Sequence, residues 1–466
     1  MKNLKFIALL LMIFVAAACK KDLPFESPDP VSNDDNNQLK SSEMHVKIAV
    51  VTDIHYMDQS LLLNNAASGE AFQNYLAQDP KLIEFSDPIF RNILSQISRE
   101  RPDIILIPGD LTKDGEKVSH ETLAELLRQL AFNHIRVYVI PGNHDINNPV
   151  AMSYDGDNAY PTPTVTPGEF ASIYANFGYN NAIYRDHNSL SYICKPAKGL
   201  WILGIDACKY DNNMETPEVS GEIKPETMEW ITQRMAEANE KHINVIAMMH
   251  HGIIEHYNGQ EQLDPGFVVD NWQQTADALM NAGIKIMFTG HYHANDITKR
   301  ETGKKVLYDI ETGSPVNTPS PFRIVTLDNN NLDVDTRYVT DIDVPFPDGM
   351  NFVTYSNIFF QQHFDFYFKY FLMYQYSLPE DIAAMISPLF RNAIMAHYAG
   401  DEKISAEERK NIKFVSENIS PDLGAALMTL WTDLNPRDNR IRLNINYWNT
   451  RPDGQADQAE RMVYAE

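Results

Sequence analysis

The sequence predicts an α/β fold, with strands and helices alternating between about residues 46 and 339 and a mostly helical C-terminal part after them. Three observations carry that expectation. Short apolar runs rich in β-branched residues are bounded by Gly, Pro or Asp, as buried strands are. Between them stand segments with apolar residues at helical spacing. Past residue 341 the strand-like runs stop, and Pro345 and Pro347 break the pattern.

In chain order, residues 1–18 come first: Lys2 and Lys5, an apolar stretch over 6–15, then Ala16-Ala17-Ala18. The apolar core is too short to span a bilayer, and small residues close it, which predicts a signal peptide. The cysteine that follows is similar to a bacterial lipoprotein signal. That likeness implies lipid on Cys19 and a membrane-anchored protein of a bacterial cell envelope. Residues 19–43 hold too few large apolar groups to fold, so a flexible tether is expected.

A domain over residues 44–340 follows. Candidate strands cover 46–51, 104–107, 137–140, 245–249 and 284–288, with more at 190–194, 200–207, 306–310, 323–327 and 332–338. Helical spacing marks 88–98, 121–132, 225–238 and 272–282. Pro225 at one helix start and Gly283 just past one end fit the usual boundary asymmetry. Many strands with helices outside point to two stacked sheets. Residues 59–79 form an insertion expected to loop over the strand ends. Residues 147–168 hold four prolines and two glycines, so they should be largely irregular and wall a pocket. From 341 to 466 the aromatic-rich stretch 357–376 and the segments 379–398, 406–417 and 423–434 read as helices.

Composition is that of an ordinary globular protein. The 466-residue chain carries a net charge of -24, which argues against binding to a nucleic-acid duplex, since that needs Lys and Arg. Cys194 and Cys208 are expected to be buried, unpaired thiols.

Five of the candidate strands lead directly into potential metal ligands: Asp53-Ile54-His55, Gly109-Asp110, Gly142-Asn143-His144-Asp145, His250-His251 and Gly290-His291-Tyr292-His293. Asp-x-His at a strand end puts carboxylate and imidazole on one side. Asparagine adds a neutral amide oxygen, and this mixed N/O set suits divalent first-row metals. Singly, each segment has a plainer explanation: a solvated turn, a helix cap or a satisfied core histidine. Together, in this order and each behind a buried run, they predict ligands converging at one end of a sheet.

These segments resemble the calcineurin-like metallophosphoesterase superfamily, whose pattern is Asp-x-His, Gly-Asp, Gly-Asn-His-Asp/Glu, His and Gly-His-x-His. The likeness extends over roughly residues 46–338. It implies a four-layer α/β/β/α sandwich of two mixed sheets holding two divalent metal ions (Mn, Fe, Zn or Co). Asp53, His55 and His293 would bind the first, Asn143, His250 and His291 the second, and Asp110 would bridge both. His251 would be free to line the pocket. Two such ions about 3.5–4 Å apart share a water or hydroxide and clamp a phosphate oxygen. His144 would then protonate the leaving alkoxide or stabilise the phosphoryl oxygen, with Asp145 holding it. The resulting expectation is hydrolysis of small-molecule phosphodiesters. A phosphomonoesterase, a protein phosphatase and an inactive envelope binding protein on the same fold are the alternatives.

Overall fold

The apolar runs become strands because their branched side chains fill both faces of a buried sheet. The computed structural model describes residues 44–445 other than 132–133 and 329–330. The expected signal peptide, Cys19 and tether therefore lie outside the described residues, as do Phe132 and residues 446–466 of the C-terminal part.

The chain runs through β1 (His45–Val50), β2 (Leu62–Leu63), α1 (Glu70–Gln78) and α2 (Ser86–Glu100). Next come β3 (Ile104–Pro108), α3 (Lys117–Ala131) and β4 (Arg136–Ile140). A hairpin of β5 (Met152–Asp155) and β6 (Asn158–Pro161) precedes α4 (Pro167–Ile173). β7 (Ala182–Arg185), β8 (Tyr192–Ala197), β9 (Leu200–Ile205), α5 (Pro225–Glu240) and β10 (Asn244–Met249) follow. The alternating part closes with α6 (Gln260–Leu263), α7 (Trp272–Ala282), β11 (Ile286–Thr289), β12 (Ile297–Thr302), β13 (Lys305–Glu311), β14 (Pro321–Asp328) and β15 (Asn331–Tyr338). Four helices, α8 (Phe352–Gln375), α9 (Glu380–Ala399), α10 (Ala406–Asn418) and α11 (Pro421–Thr429), lead to β16 (Arg440–Asn444).

Two mixed sheets form, in the orders β16-β15-β14-β1-β3-β4 and β12-β13-β11-β10-β9-β8-β7. In the first, β1, β3 and β4 are parallel, and β14, β15 and β16 run antiparallel. In the second, β9, β10, β11 and β13 are parallel. β10 shows why the layers stack. Val245, Ala247 and Met249 face one cluster with Ile231, Met235 and Leu279 of α5 and α7. Ile246 and Met248 join a second cluster with Ile105, Ile107 and Ile140 of the opposite sheet. A period of two thus serves two cores from one strand. The sheets meet closely: the Tyr192 hydroxyl donates to the Val139 carbonyl at 2.8 Å. With α2 and α3 adding Phe90, Ile93, Leu123 and Leu127, the layers run helix, sheet, sheet, helix.

Residues 147–168 are more ordered than their prolines imply. β5 and β6 pair around Gly156, whose φ of +53° a side chain would resist, and β2 from the first insertion adds a third strand. The two insertions thereby brace each other. β16 is a second addition: its alternation of Arg440, Ile441, Arg442 and Leu443 pairs against β15 and extends the first sheet. Phe360, Phe364 and Leu372 of α8 and Phe390 of α9 enter the same core as β1, so the described residues belong to one compact unit. None of the described helices is long and apolar enough to cross a membrane. Cys194 and Cys208 are buried and unpaired.

Candidate metal centre

The five ligand-bearing segments come from both sheets, not one. β1, β3 and β4 carry Asp53, His55, Asp110, Asn143 and His144 from the first, and β10 and β11 carry His250, His291 and His293 from the second. Reaching a common point from two sheets requires abrupt turns. Asp53, His55, Asp110, His291 and His293 all have positive φ, at 50°, 44°, 45°, 81° and 65°. Such backbone costs roughly 1–3 kcal/mol per residue and persists where surroundings enforce it. Glycine makes the approach possible: a Cβ on Gly142 would lie 2.1 Å from Asp110 Oδ1, and one on Gly290 would lie 2.2 Å from Asp53 Oδ2.

Two groups of potential ligands result. Asp53, His55, Asp110 and His293 form one, and Asp110, His250 and His291 the other, each with ligand atoms within 4.8 Å of one another. Asp110 belongs to both. Its Oδ2 lies 3.7 Å from His55 Nε2 and 3.4 Å from His250 Nε2. Asn143 joins the second group through Oδ1, 3.0 Å from His250 Nε2. Every one of these side chains is buried or nearly so.

Hydrogen bonds from the outer side of each ring show what the inner side lacks. His250 Nδ1–H donates to the Pro108 carbonyl at 2.9 Å, and His291 Nε2–H to the Gly266 carbonyl at 3.1 Å. His250 Nε2 then points at two oxygens, Asn143 Oδ1 and Asp110 Oδ2, a position where either a proton or a metal ion can stand between them. His55 Nε2 and His293 Nε2 likewise confront each other at 3.2 Å. Two nitrogens bound at about 2.0–2.1 Å to one tetrahedral ion stand about 3.3 Å apart. Asp53 completes this side, its Oδ1 3.3 Å from His293 Nε2, while the His291 amide and Thr52 hydroxyl donate to it. The residues present therefore fit divalent cations in both groups.

Charge follows the same geometry. Burial opposes ionisation of Asp110, yet His250 and His144 hold its carboxyl well below the usual range. Burial alone would depress His250, but Asp110 overrides it and pushes the imidazole up to about 10. His55 is driven well below its ordinary value by burial, with Lys81 adding to the effect.

His144 stands apart from the ligand groups. Its side chain is 22% exposed, so the ring opens toward the mouth of the site, with Nε2 4.0 Å from Asp110 Oδ2. Asp145 does not hold it. Both Asp145 oxygens accept from the amides of Leu111, Thr112 and Gly142 and from the Thr112 hydroxyl, tying the second and third ligand loops together. The partner of His144 Nδ1 is Asp114 Oδ1, at 3.0 Å. His251 is as buried as His250, its ring 4.4 Å from that of His291 and its Nε2–H donating to the Val219 carbonyl at 3.0 Å.

Two residues escape the sequence reading. Asp114 was within reach of it, four positions beyond Asp110 in the same loop. Lys81 gave no signal. It is held by both oxygens of Asp79, at 2.9 and 3.1 Å, and acts electrostatically on His55 and His144. From the C-terminal helices, Tyr398 of α9 brings its ring 6.3 Å from that of His293.

Two bacterial proteins described as probable cyclic nucleotide phosphodiesterases are similar to this chain. One, from Vesicomyosocius okutanii subsp. Calyptogena okutanii (strain HA), is 36% identical over 64 residues, 14% of this chain and 26% of the relative. The other, from Coxiella burnetii (strain RSA 493 / Nine Mile phase I), is 29% identical over 141 residues, 30% of this chain and 48% of the relative. The matches thus span about a quarter and about half of those relatives' lengths. Among solved structures, a dimetal phosphatase from Danio rerio aligns with 63% of this chain and 96% of its own, at 14% identity and a TM-score of 0.46. The sequence model of the calcineurin-like phosphoesterases matches residues 46–295, more than half of the chain, which belongs to that family.

Proposed function

We propose that this protein hydrolyses small-molecule phosphodiesters with the help of two divalent cations, one held by Asp53, His55, Asp110 and His293 and one by Asp110, Asn143, His250 and His291. The observation that carries this reading is the gathering of two groups of ligand atoms that share Asp110. His55 and His293 approach at 3.2 Å and His250 and Asn143 at 3.0 Å, with Asp110 Oδ2 3.7 Å from His55 and 3.4 Å from His250, a close N/O set that suits divalent cations. When bound, the cations would supply Lewis acidity, making a water easier to deprotonate and neutralising charge on phosphoryl oxygens.

The chain's own residues do the rest. Asp110 and Asp53 fix the position of positive charge from buried positions. His144, oriented by Asp114, holds a proton at the mouth of the site, where the leaving alkoxide would emerge. The rigid strand ends set these groups in place before substrate arrives. Cyclic nucleotides enter as candidate substrates because both similar bacterial proteins are described as acting on them. The lipid anchor proposed at Cys19 would keep the enzyme in the cell envelope, and metabolic labelling with palmitate, compared with Cys19→Ala, tests that.

Full-length protein loaded with manganese, zinc, iron or cobalt is to be compared on bis- and mono-nitrophenyl phosphate, on cyclic nucleotides and on a phosphopeptide. Diester turnover that is lost with Asp110→Ala supports the proposal. Fully loaded protein inert toward every phosphoester would sink it in favour of a binding role.

A further inference from the structure

A second buried cluster of ligand-type side chains lies apart from the centre around Asp110. His256 follows β10, Asp296 precedes β12 and His397 sits in the last turn of α9. One ligand atom from each lies within 4.8 Å of the others. All three residues are 1% exposed. Tyr292, between the two histidines of the Gly-His-Tyr-His segment, packs its ring 5.7 and 5.4 Å from those of His256 and His397.

The hydrogen bonding of this cluster is incomplete. Both carboxylate oxygens of Asp296 are buried without a partner, as are His256 Nδ1 and His397 Nε2. The other nitrogen of His397, Nδ1, is hydrogen-bonded to Glu402 Oε1 at 2.5 Å and lies 4.0 Å from Asp296 Oδ2, while His256 Nε2 lies 2.9 Å from Glu311 Oε2, an oxygen that makes no hydrogen bond. A carboxylate bonded to one imidazole nitrogen and nothing on the other is how metal-binding histidines are commonly oriented, and His397 shows it. Asp438 adds a further buried carboxylate nearby. Arg323 is also close, but its guanidinium donates to the carbonyls of Glu311 and Asp438 and to the Thr336 hydroxyl. Buried anions without pairing are costly, and orphaned buried polar atoms are rare enough to need a reason.

We propose that His256, Asp296 and His397 hold a further divalent cation of the first-row transition type, with Glu402 orienting the His397 imidazole. Its ligands join the strand-and-helix part of the chain to α9, so bound metal would fasten the C-terminal helices beside the phosphoesterase centre. Two imidazoles and a carboxylate favour zinc, manganese, iron or cobalt over calcium.

Anomalous diffraction from crystals of the wild-type protein soaked in zinc or manganese tests the site directly. A peak bounded by Asp296, His256 and His397 is expected, and its absence from a crystal with peaks at Asp110 would overturn the proposal. Metal analysis after loading and desalting gives a second reading. His397→Gln and Asp296→Asn should each retain about one equivalent less than wild type. Asp110→Asn should lose metal from the other centre and keep this one, and zinc should still raise its Tm. Equal metal content in wild type, His397→Gln and Asp296→Asn would also defeat the proposal. Should those two variants fail to fold, the wild-type diffraction decides alone.

Discussion

His144 Nδ1 lies 3.0 Å from Asp114 Oδ1, while the adjacent Asp145 turns both its oxygens toward backbone amides. Two carboxylates beside one imidazole thus do different work. Asp114 fixes the ring's tautomer and direction, leaving Nε2 to face the site. Asp145 holds the Asp110 and Asn143 loops in register. Lys113, which pairs with Asp114, helps to keep that carboxylate ionised at about 2 although burial works against it.

Removing the two halves of this pair should therefore give different losses. His144→Ala should keep its metal and lower turnover by roughly 10²–10⁴-fold. Asp114→Asn keeps the shape and loses the charge, so a smaller fall of about 10–100-fold is expected, with a displaced pH profile. Metal analysis beside steady-state kinetics on a nitrophenyl diester checks both. His144→Ala with full metal and unchanged kcat would end the role assigned to that imidazole.

Gly142 offers a sharper test of the centre's geometry. A Cβ there would stand 2.1 Å from Asp110 Oδ1 and 2.2 Å from the Asp110 amide, so the shared ligand itself must move. Gly142→Ala should lose metal and activity together. Gly168→Ala is the control, since a Cβ at that position meets nothing within 4 Å. Metal content in Gly142→Ala equal to that of the control would show that Asp110 does not need its observed position.

The converging segments were legible because each directly follows an apolar run, so the strand places the ligand. Asp53, Asp110, Asn143, His250 and His291 need only a strand and its next few residues to be found. The helices of the C-terminal part were legible for a similar local reason, the spacing of Phe360, Phe364 and Phe368. What tertiary approach decides was not. Lys81 influences His55 and His144 only through the charge it holds near them in the fold, and nothing in its sequence neighbourhood marks it. His256 and His397 are 141 positions apart and meet only when α9 docks. β16 is short and polar on alternate positions, and the prolines around β5 and β6 mask a hairpin that a partner strand stabilises.

His120 links the same loops to acid stability. Buried on α3, it donates from Nε2–H to the Asp145 carbonyl at 2.9 Å and accepts from the Tyr174 hydroxyl at Nδ1, also 2.9 Å away. Burial pushes its pKa down to about 4. An unfolded chain takes up that proton near 6.5, so between about pH 6.5 and 4 the unfolded state binds more protons. The contribution of neutral His120 is complete above pH 6.5 and is lost as pH falls toward 4, up to roughly 3 kcal/mol. Denaturant unfolding at pH 7.5, 6 and 5 should show that fall, and His120→Gln should flatten it. An equally steep fall in His120→Gln would assign the acid sensitivity elsewhere.

Lys81 supplies positive charge in a protein with a net charge of -24. Its amine is gripped by Asp79, and its side chain remains 15% exposed, so it can meet an anion entering beside His55 and His144. A hydrogen bond to a charged group contributes about 1.5–3 kcal/mol. Lys81→Met should therefore raise KM for a diester by about 10-fold or more while changing kcat little. Salt should also weaken kcat/KM less steeply than in wild type, because one attractive charge is gone. Asp79→Asn separates the effects: it releases the amine without removing it, so KM should change far less than in Lys81→Met. If Lys81→Met matches wild type in both KM and salt response, the lysine neutralises Asp79 and does not reach the substrate.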